Sequence, residues 1–89
     1  MNGAQDTIIA LATAQGVGAI AVIRISGDDA ITLADQHFKA RSKTSLAEVP
    51  SHSIHLGDLY DKERIIDEVL VSVFRTPRSY TGENVVEIA

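Results

Sequence analysis

The stretch Ala19–Ser26, AIAVIRIS, is apolar on both of its faces apart from one arginine. Its β-branched residues favour an extended chain, and a strand apolar on both sides belongs inside a sheet rather than at its edge. A companion run, Thr7–Ala12 (TIIALA), precedes it across the glycine-containing segment Ala14–Gly18, so the chain opens as strand, turn, strand. Ile65–Phe74 (IIDEVLVSVF) reads as another strand, with Val69, Val71 and Val73 two apart and therefore on one face. Before it, His52–Tyr60 is a less regular strand with Gly57 at the place of a bulge, followed by a polar turn over Asp61–Arg64. Val85–Ile88 opens a last strand after an irregular loop running from Pro77 to Asn84.

Helical spacing occurs once. Ala30, Ile31, Ala34 and Phe38 predict a helix from Gly27 to Phe38, with Ser26 as its N-cap and Asp28 and Asp29 in its first turn. Lys39–Pro50 has no period; its three cations, Lys39, Arg41 and Lys43, read as a solvated loop in preference to a phosphate-binding patch. Apart from the segment around the helix, the connections are too short for parallel crossovers. The expected class is α+β, a small mixed sheet of about five strands with one or two helices.

With 89 residues the chain supports a single core that buries roughly 60–65% of its unfolded surface. Cysteine is absent, which excludes a disulfide framework and a thiolate metal site. No Lys or Arg precedes the first apolar run, so the start does not read as a signal peptide, and no run approaches the ~20 apolar residues of a membrane span. A cytoplasmic location fits. A net charge of −4 argues against nucleic-acid binding by this segment alone. The final strand reaches Ala89 with no stop signal, so residues 1–89 are expected to be one incomplete domain from the front of a longer protein.

Most constellations that could carry chemistry fail on context. Gly16-Val-Gly18 superficially matches a dinucleotide fingerprint, but a strand follows it where a helix N-terminus is required. No phosphate-loop motif occurs, and Ser26, Ser72 and Ser79 sit in no nucleophile motif. His52 and His55 are three apart, which places them on opposite faces of a strand and reads as ordinary surface histidine. Two residues break local rules. Arg24 interrupts AVIRI, and Glu87 interrupts VVEI. A charge buried without a partner costs several kcal/mol, so these two either pair with each other, point to solvent, or line a polar ligand pocket.

Four segments in order then resemble a known family. Asp6–Thr13 (DTIIALAT), Val22–Gly27 (VIRISG), Ile66–Val71 (IDEVLV) and the run from Pro77 through Ser79–Ile88 (SYTGENVVEI) are similar to the N-terminal region of the tRNA-modification GTPases of the MnmE/TrmE family. The resemblance implies a fold similar to the tetrahydrofolate-binding domain of the glycine-cleavage T-protein. It implies a 5-formyl- or methylene-tetrahydrofolate ligand, with Arg24 and Glu87 at two folate contacts and a third contact, a lysine, lying beyond Ala89. It also implies a homodimer. In the parent protein it implies GTPase and helical domains using GTP, Mg2+ and K+, partnership with the FAD protein MnmG (GidA), and action on carbon 5 of the wobble uridine of tRNA. One departure stands out. The family's first turn usually reads Pro-Pro-Gly-Arg-Gly-Gly, whereas Ala14–Ala19 here is AQGVGA, without the arginine or the prolines.

Overall fold

The computed structural model describes residues 7–11, 21–76 and 82–89. These build β1 (Ile8–Leu11), β2 (Ile23–Ser26), α1 (Ala30–Asp35), β3 (Phe38–Ala40), a 3-10 turn at Leu46–Glu48, β4 (Ser53–Asp61), β5 (Arg64–Phe74) and β6 (Val85–Ile88). The six strands form one sheet in the order β1-β2-β6-β5-β4-β3. Every pairing is antiparallel, so the α+β class holds while the expected mixed sheet is antiparallel throughout the described residues. The turn at Ala14–Gly18, the start of the second run at Ala19 and Ile20, and the loop residues 77–81 lie outside the described residues.

The topology places the last strand in the middle. After the β1–β2 hairpin the chain crosses to the far edge, returns as β3, β4 and β5, and inserts β6 between β5 and β2. β2 is therefore an interior strand, as its two apolar faces require. On β5, Val69, Val71 and Val73 are buried and alternate with half-exposed or exposed neighbours. They share a face with Val86, Ile88 and Ile25 on the neighbouring strands, and α1 and the 3-10 turn pack over that face through Ala30, Ile31, Ala34 and Leu46. Each fully buried Val or Leu side chain contributes up to about 1.5–3 kcal/mol through removal from water. Among the described residues no helix is long and apolar enough to cross a membrane.

Three local expectations need correction. The helix covers Ala30–Asp35 rather than Gly27–Phe38, and Ser26 ends β2 instead of capping it. Asp29 occupies the N-cap position with no side-chain cap; its own N–H reaches Thr7 Oγ1 at 3.2 Å. The helix is cut short because both ends are tied elsewhere. Gly27, at a φ of 133, turns sharply and donates its N–H to the Asn84 carbonyl. At the other end the Asp35 carboxylate accepts from the Leu46 N–H at 2.9 Å and from Ser45 Oγ at 2.7 Å.

Lys39–Pro50 is not wholly a loop either, since its first residues continue β3 and Leu46–Glu48 form the 3-10 turn. Arg75 holds that turn to the end of β5, donating to the carbonyls of Val49 at 2.8 Å and Leu46 at 2.7 Å. Gly57, finally, is no bulge: the register shift falls between Leu59 and Tyr60. A Cβ at Gly57 would meet the Lys39 carbonyl oxygen and lie 2.6 Å from Phe38 Cζ, so the glycine is there to let β3 and its aromatic ring come close.

Candidate functional site

Side chains directly opposite one another on neighbouring strands share a face. The registers string Ala10, Arg24, Glu87, Ser72 and Ile54 into one row across five strands, on the face turned away from α1. Arg24 and Glu87, separated by 63 positions in sequence, are direct cross-strand partners on β2 and β6. Arg24 donates to Glu87 Oε2 from Nε at 2.8 Å and from Nη2 at 2.5 Å. Both contacts fall on one carboxylate oxygen, so the pair is side-on rather than a two-oxygen fork. The side chains keep 41% and 23% of their surface exposed, which makes the pair half-buried and reachable from solvent.

Apolar groups flank it. One neighbouring row runs from Ala89 to Leu70 and Leu56; Leu70 and Ala89 exchange backbone bonds of 3.0 and 2.9 Å. Leu56, Leu70 and Ile54 are all exposed. On the other side the row is Ile8, Ser26, Val85 and Phe74, with Val85 fully buried. An ion pair set in a flat apolar surface can hold a planar ring that carries hydrogen-bonding groups at one edge.

Sequence reasoning did not single out a second polar cluster on the same face. Asp58 and Glu68 are opposite each other on β4 and β5, a like-charge pairing that is unfavourable alone. Arg41, just after β3, bridges them, with Nη2 3.0 Å from Asp58 Oδ1 and 2.5 Å from Glu68 Oε2. The contact, chiefly the hydrogen bond to Asp58, raises the Arg41 pKa above its already high ordinary value, so it stays charged at every working pH. A readable signal existed: once the Asp61–Arg64 turn fixes the hairpin register, two facing carboxylates demand a cation.

The remaining candidates are less suited to a ligand. A hollow of about 520 Å³ beside β3 is lined by Lys39, Arg41 and Lys43, but Asp35 and Asp58 line it too and offset the cations. A second, about 390 Å³, lies on the α1 side among Ile23, Leu33, Leu59 and Ile66 and is almost wholly apolar. The two histidines of the sequence analysis have separate partners: His52 bonds Ser51 Oγ and sets its ring edge-on to Phe74, whereas His55 Nε2 bonds Ser53 Oγ. Among the described residues no group of three His, Cys, Asp or Glu could hold a metal ion.

With this geometry in view, the comparison with known proteins is decisive on kinship. A family model described as "GTP-binding protein TrmE N-terminus" matches residues 7–89. The chain belongs to the TrmE N-terminal family. Within it, the chain is 60% identical over 84 residues to the tRNA modification GTPase MnmE of Christiangramia forsetii, covering 94% of this chain and 18% of that protein. It is 51% identical over 84 residues to the MnmE of Flavobacterium psychrophilum, with the same two coverages. It is 52% identical over 85 residues to that of Bacillus cereus, covering 93% of this chain and 18% of the relative. This TrmE N-terminal chain thus spans about a fifth of the length of the curated relatives it matches.

Proposed function

We propose that this chain is the N-terminal module of a cytoplasmic tRNA-modification GTPase acting on carbon 5 of the wobble uridine, and that the module binds a one-carbon tetrahydrofolate and joins two copies of the protein. The family supports the first half of the reading. The Arg24–Glu87 pair on the uncovered face carries the second.

A purely structural role for the pair is the competing reading, and its direct bonds favour that reading at first sight. Magnitude argues otherwise. Half-exposed ion pairs stabilise a fold by only about 0–1 kcal/mol, little return for interrupting two apolar strands with charges. The residue types fit the ligand. A pterin edge has adjacent N–H donors, which a carboxylate such as Glu87 accepts, and the glutamate tail is anionic, which suits Arg24. Leu70 and Ile54 offer an apolar seat beside them. The folate, when bound, supplies the one-carbon unit; the residues here hold and orient it.

Binding of GTP, Mg2+ and K+ is assigned to the remainder of the parent protein, as is work with the FAD protein MnmG on tRNA. The 89-residue chain is accordingly expected to show no GTP turnover, because its sequence holds no phosphate loop. For pairing of copies, the exposed Ile54, Leu56 and Leu70 and the edge strand β1 supply apolar surface. Sedimentation should reveal a concentration-dependent dimer; a monomer at high concentration sinks that part.

Calorimetric titration with 5-formyltetrahydrofolate tests the binding claim. Arg24→Met and Glu87→Gln should each weaken binding about ten- to a hundredfold while circular dichroism stays unchanged. Equal affinity in both variants and the parent chain rules the site out.

A further inference from the structure

Resting on the folate reading of this site, we infer that Ser72 is a further ligand-binding residue: its hydroxyl donates to a ring carbonyl that lies beside the N–H groups taken by Glu87. The starting point is a polar residue in an apolar place. Ser72 stands directly opposite Glu87 on β6 and Ile54 on β4, and its same-face neighbours along β5 are Leu70 and Phe74. It is half-buried, yet among the described residues its Oγ has no hydrogen-bond partner, the facing carboxylate included. Glu87 has spare capacity in turn. Both bonds from Arg24, at 2.8 and 2.5 Å, fall on Oε2, and Oε1 accepts nothing from the described residues. β2 brings the cation to one side of Glu87, and β5 brings the idle hydroxyl to the other.

A carboxylate beside a hydroxyl makes a definite pattern, because an ionised carboxylate only accepts whereas a serine hydroxyl can donate. The edge of a tetrahydropterin presents, in order, an amino group, a ring N–H and a carbonyl, which is two donors followed by an acceptor. Glu87 can accept from the two donors and offers nothing to the carbonyl. A carbonyl that leaves water without gaining a donor loses binding energy. The proposed function gives Arg24 to the anionic tail, so the donor next in the row is Ser72. The ring edge then reads across from β6 onto β5, with Glu87 and Ser72 complementing it in sequence. This accounts for a hydroxyl that interrupts the apolar run of β5 on this face and bonds to nothing else described.

Ser72→Thr and Ser72→Val share one branched shape and only the first keeps a hydroxyl, so their difference isolates the hydrogen bond. Calorimetric titration of the 89-residue chain with 5-formyltetrahydrofolate should leave Ser72→Thr within about twofold of the parent chain and weaken Ser72→Val about 3- to 10-fold. 6-Methyltetrahydropterin, which has the same ring edge and no glutamate tail, should lose the same factor with Ser72→Val. Both variants keep a residue that favours strands, so melting temperatures should stay close to the parent's and separate lost binding from lost fold. If the added methyl group blocks the ligand in both variants, Ser72→Ala takes their place and should show the same 3- to 10-fold loss for folate and pterin alike. Parent-like binding by Ser72→Val or by Ser72→Ala overturns the inference and leaves the folate site standing. A loss with the folate that the pterin does not share, or a parent chain that binds the folate and no pterin, shows that the ring edge is not held here and overturns it too. Failure of the parent chain to bind 5-formyltetrahydrofolate at all overturns the site and the inference together.

Discussion

On the face of the sheet that α1 covers, Val71 and Val73 have no exposed surface; one position away on the same strand, Leu70 keeps 47% of its surface in water. Both faces are rich in Ile, Leu and Val, so residue type alone does not separate them. What differs is the second layer. A six-residue helix and one 3-10 turn pack on one side, and among the described residues no helix packs on the other. The covered face is dry and holds the fold together. The uncovered face carries Arg24 with Glu87 and Arg41 with Asp58 and Glu68, the three ion pairs found among the described residues. The ion pairs thus fall on the face lacking cover, among exposed apolar side chains, and that face is the one available to ligands and to other copies.

The sharpest way to break this contrast is to truncate equivalent residues on the two sides. Leu46→Ala, at a site with no exposed surface under α1, should cost about 2–5 kcal/mol in urea unfolding. Leu56→Ala on the uncovered face should cost less than about 1 kcal/mol. Equal losses would mean that the uncovered face is also a core, closed by contacts between copies.

Next in size is Gly57→Ala, which we expect to destabilise by about 1–3 kcal/mol, because the added methyl group must push β3 or the Phe38 ring aside. Combining it with Phe38→Ala should recover part of the steric cost, a non-additivity that a thermodynamic cycle reads directly. Additive losses would show that the glycine serves some other purpose.

Smaller again are the stability effects of Arg24→Met and Glu87→Gln. Each should fall within about 0–1 kcal/mol, as for an exposed pair, and not the roughly 3–5 kcal/mol expected when one member of a buried pair is stranded. A large loss in either variant, measured by thermal unfolding, would return the pair to a structural role. Arg41→Gln should have the least effect, visible at low salt and gone at high salt, since screening removes what an exposed bridge contributes.

Much of the covered face was legible in the sequence because its signal is local. Alternation in Val69–Val73 marks a strand with one buried side, and the last strand begins at Val85 as expected. The misreadings share a cause, which is that tertiary partners overrode local preference. Phe38 continued a helical spacing, yet its ring belongs on Gly57, 19 positions later, and the helix gives way to a strand. Asp35 was an unremarkable helical residue until Leu46 and Ser45 came to bond it. For the candidate site, the anomaly of charges within apolar strands singled out Arg24 and Glu87 in advance. That they pair with each other is one of the readings the sequence leaves open, and what decides it is β6 inserting beside β2 and the register that follows.

The place of β3 at the edge of the sheet also governs how the molecule breathes. β3 is three residues long, sits at an edge and pairs with β4 alone, and the ladder continues at either end through Arg41 N–H to the Leu56 carbonyl and Tyr60 N–H to the His37 carbonyl. A short edge strand paired on one side only opens as a unit, well before the central strands do. Hydrogen exchange should therefore release the amides of Lys39 and Arg41, which face β4, together, at a free energy below that of Val71 and Val73. Each opening would also release Arg41 from the facing carboxylates of Asp58 and Glu68, so that for a brief interval the uncovered face carries two unbridged negative charges where it had carried a compensated cluster.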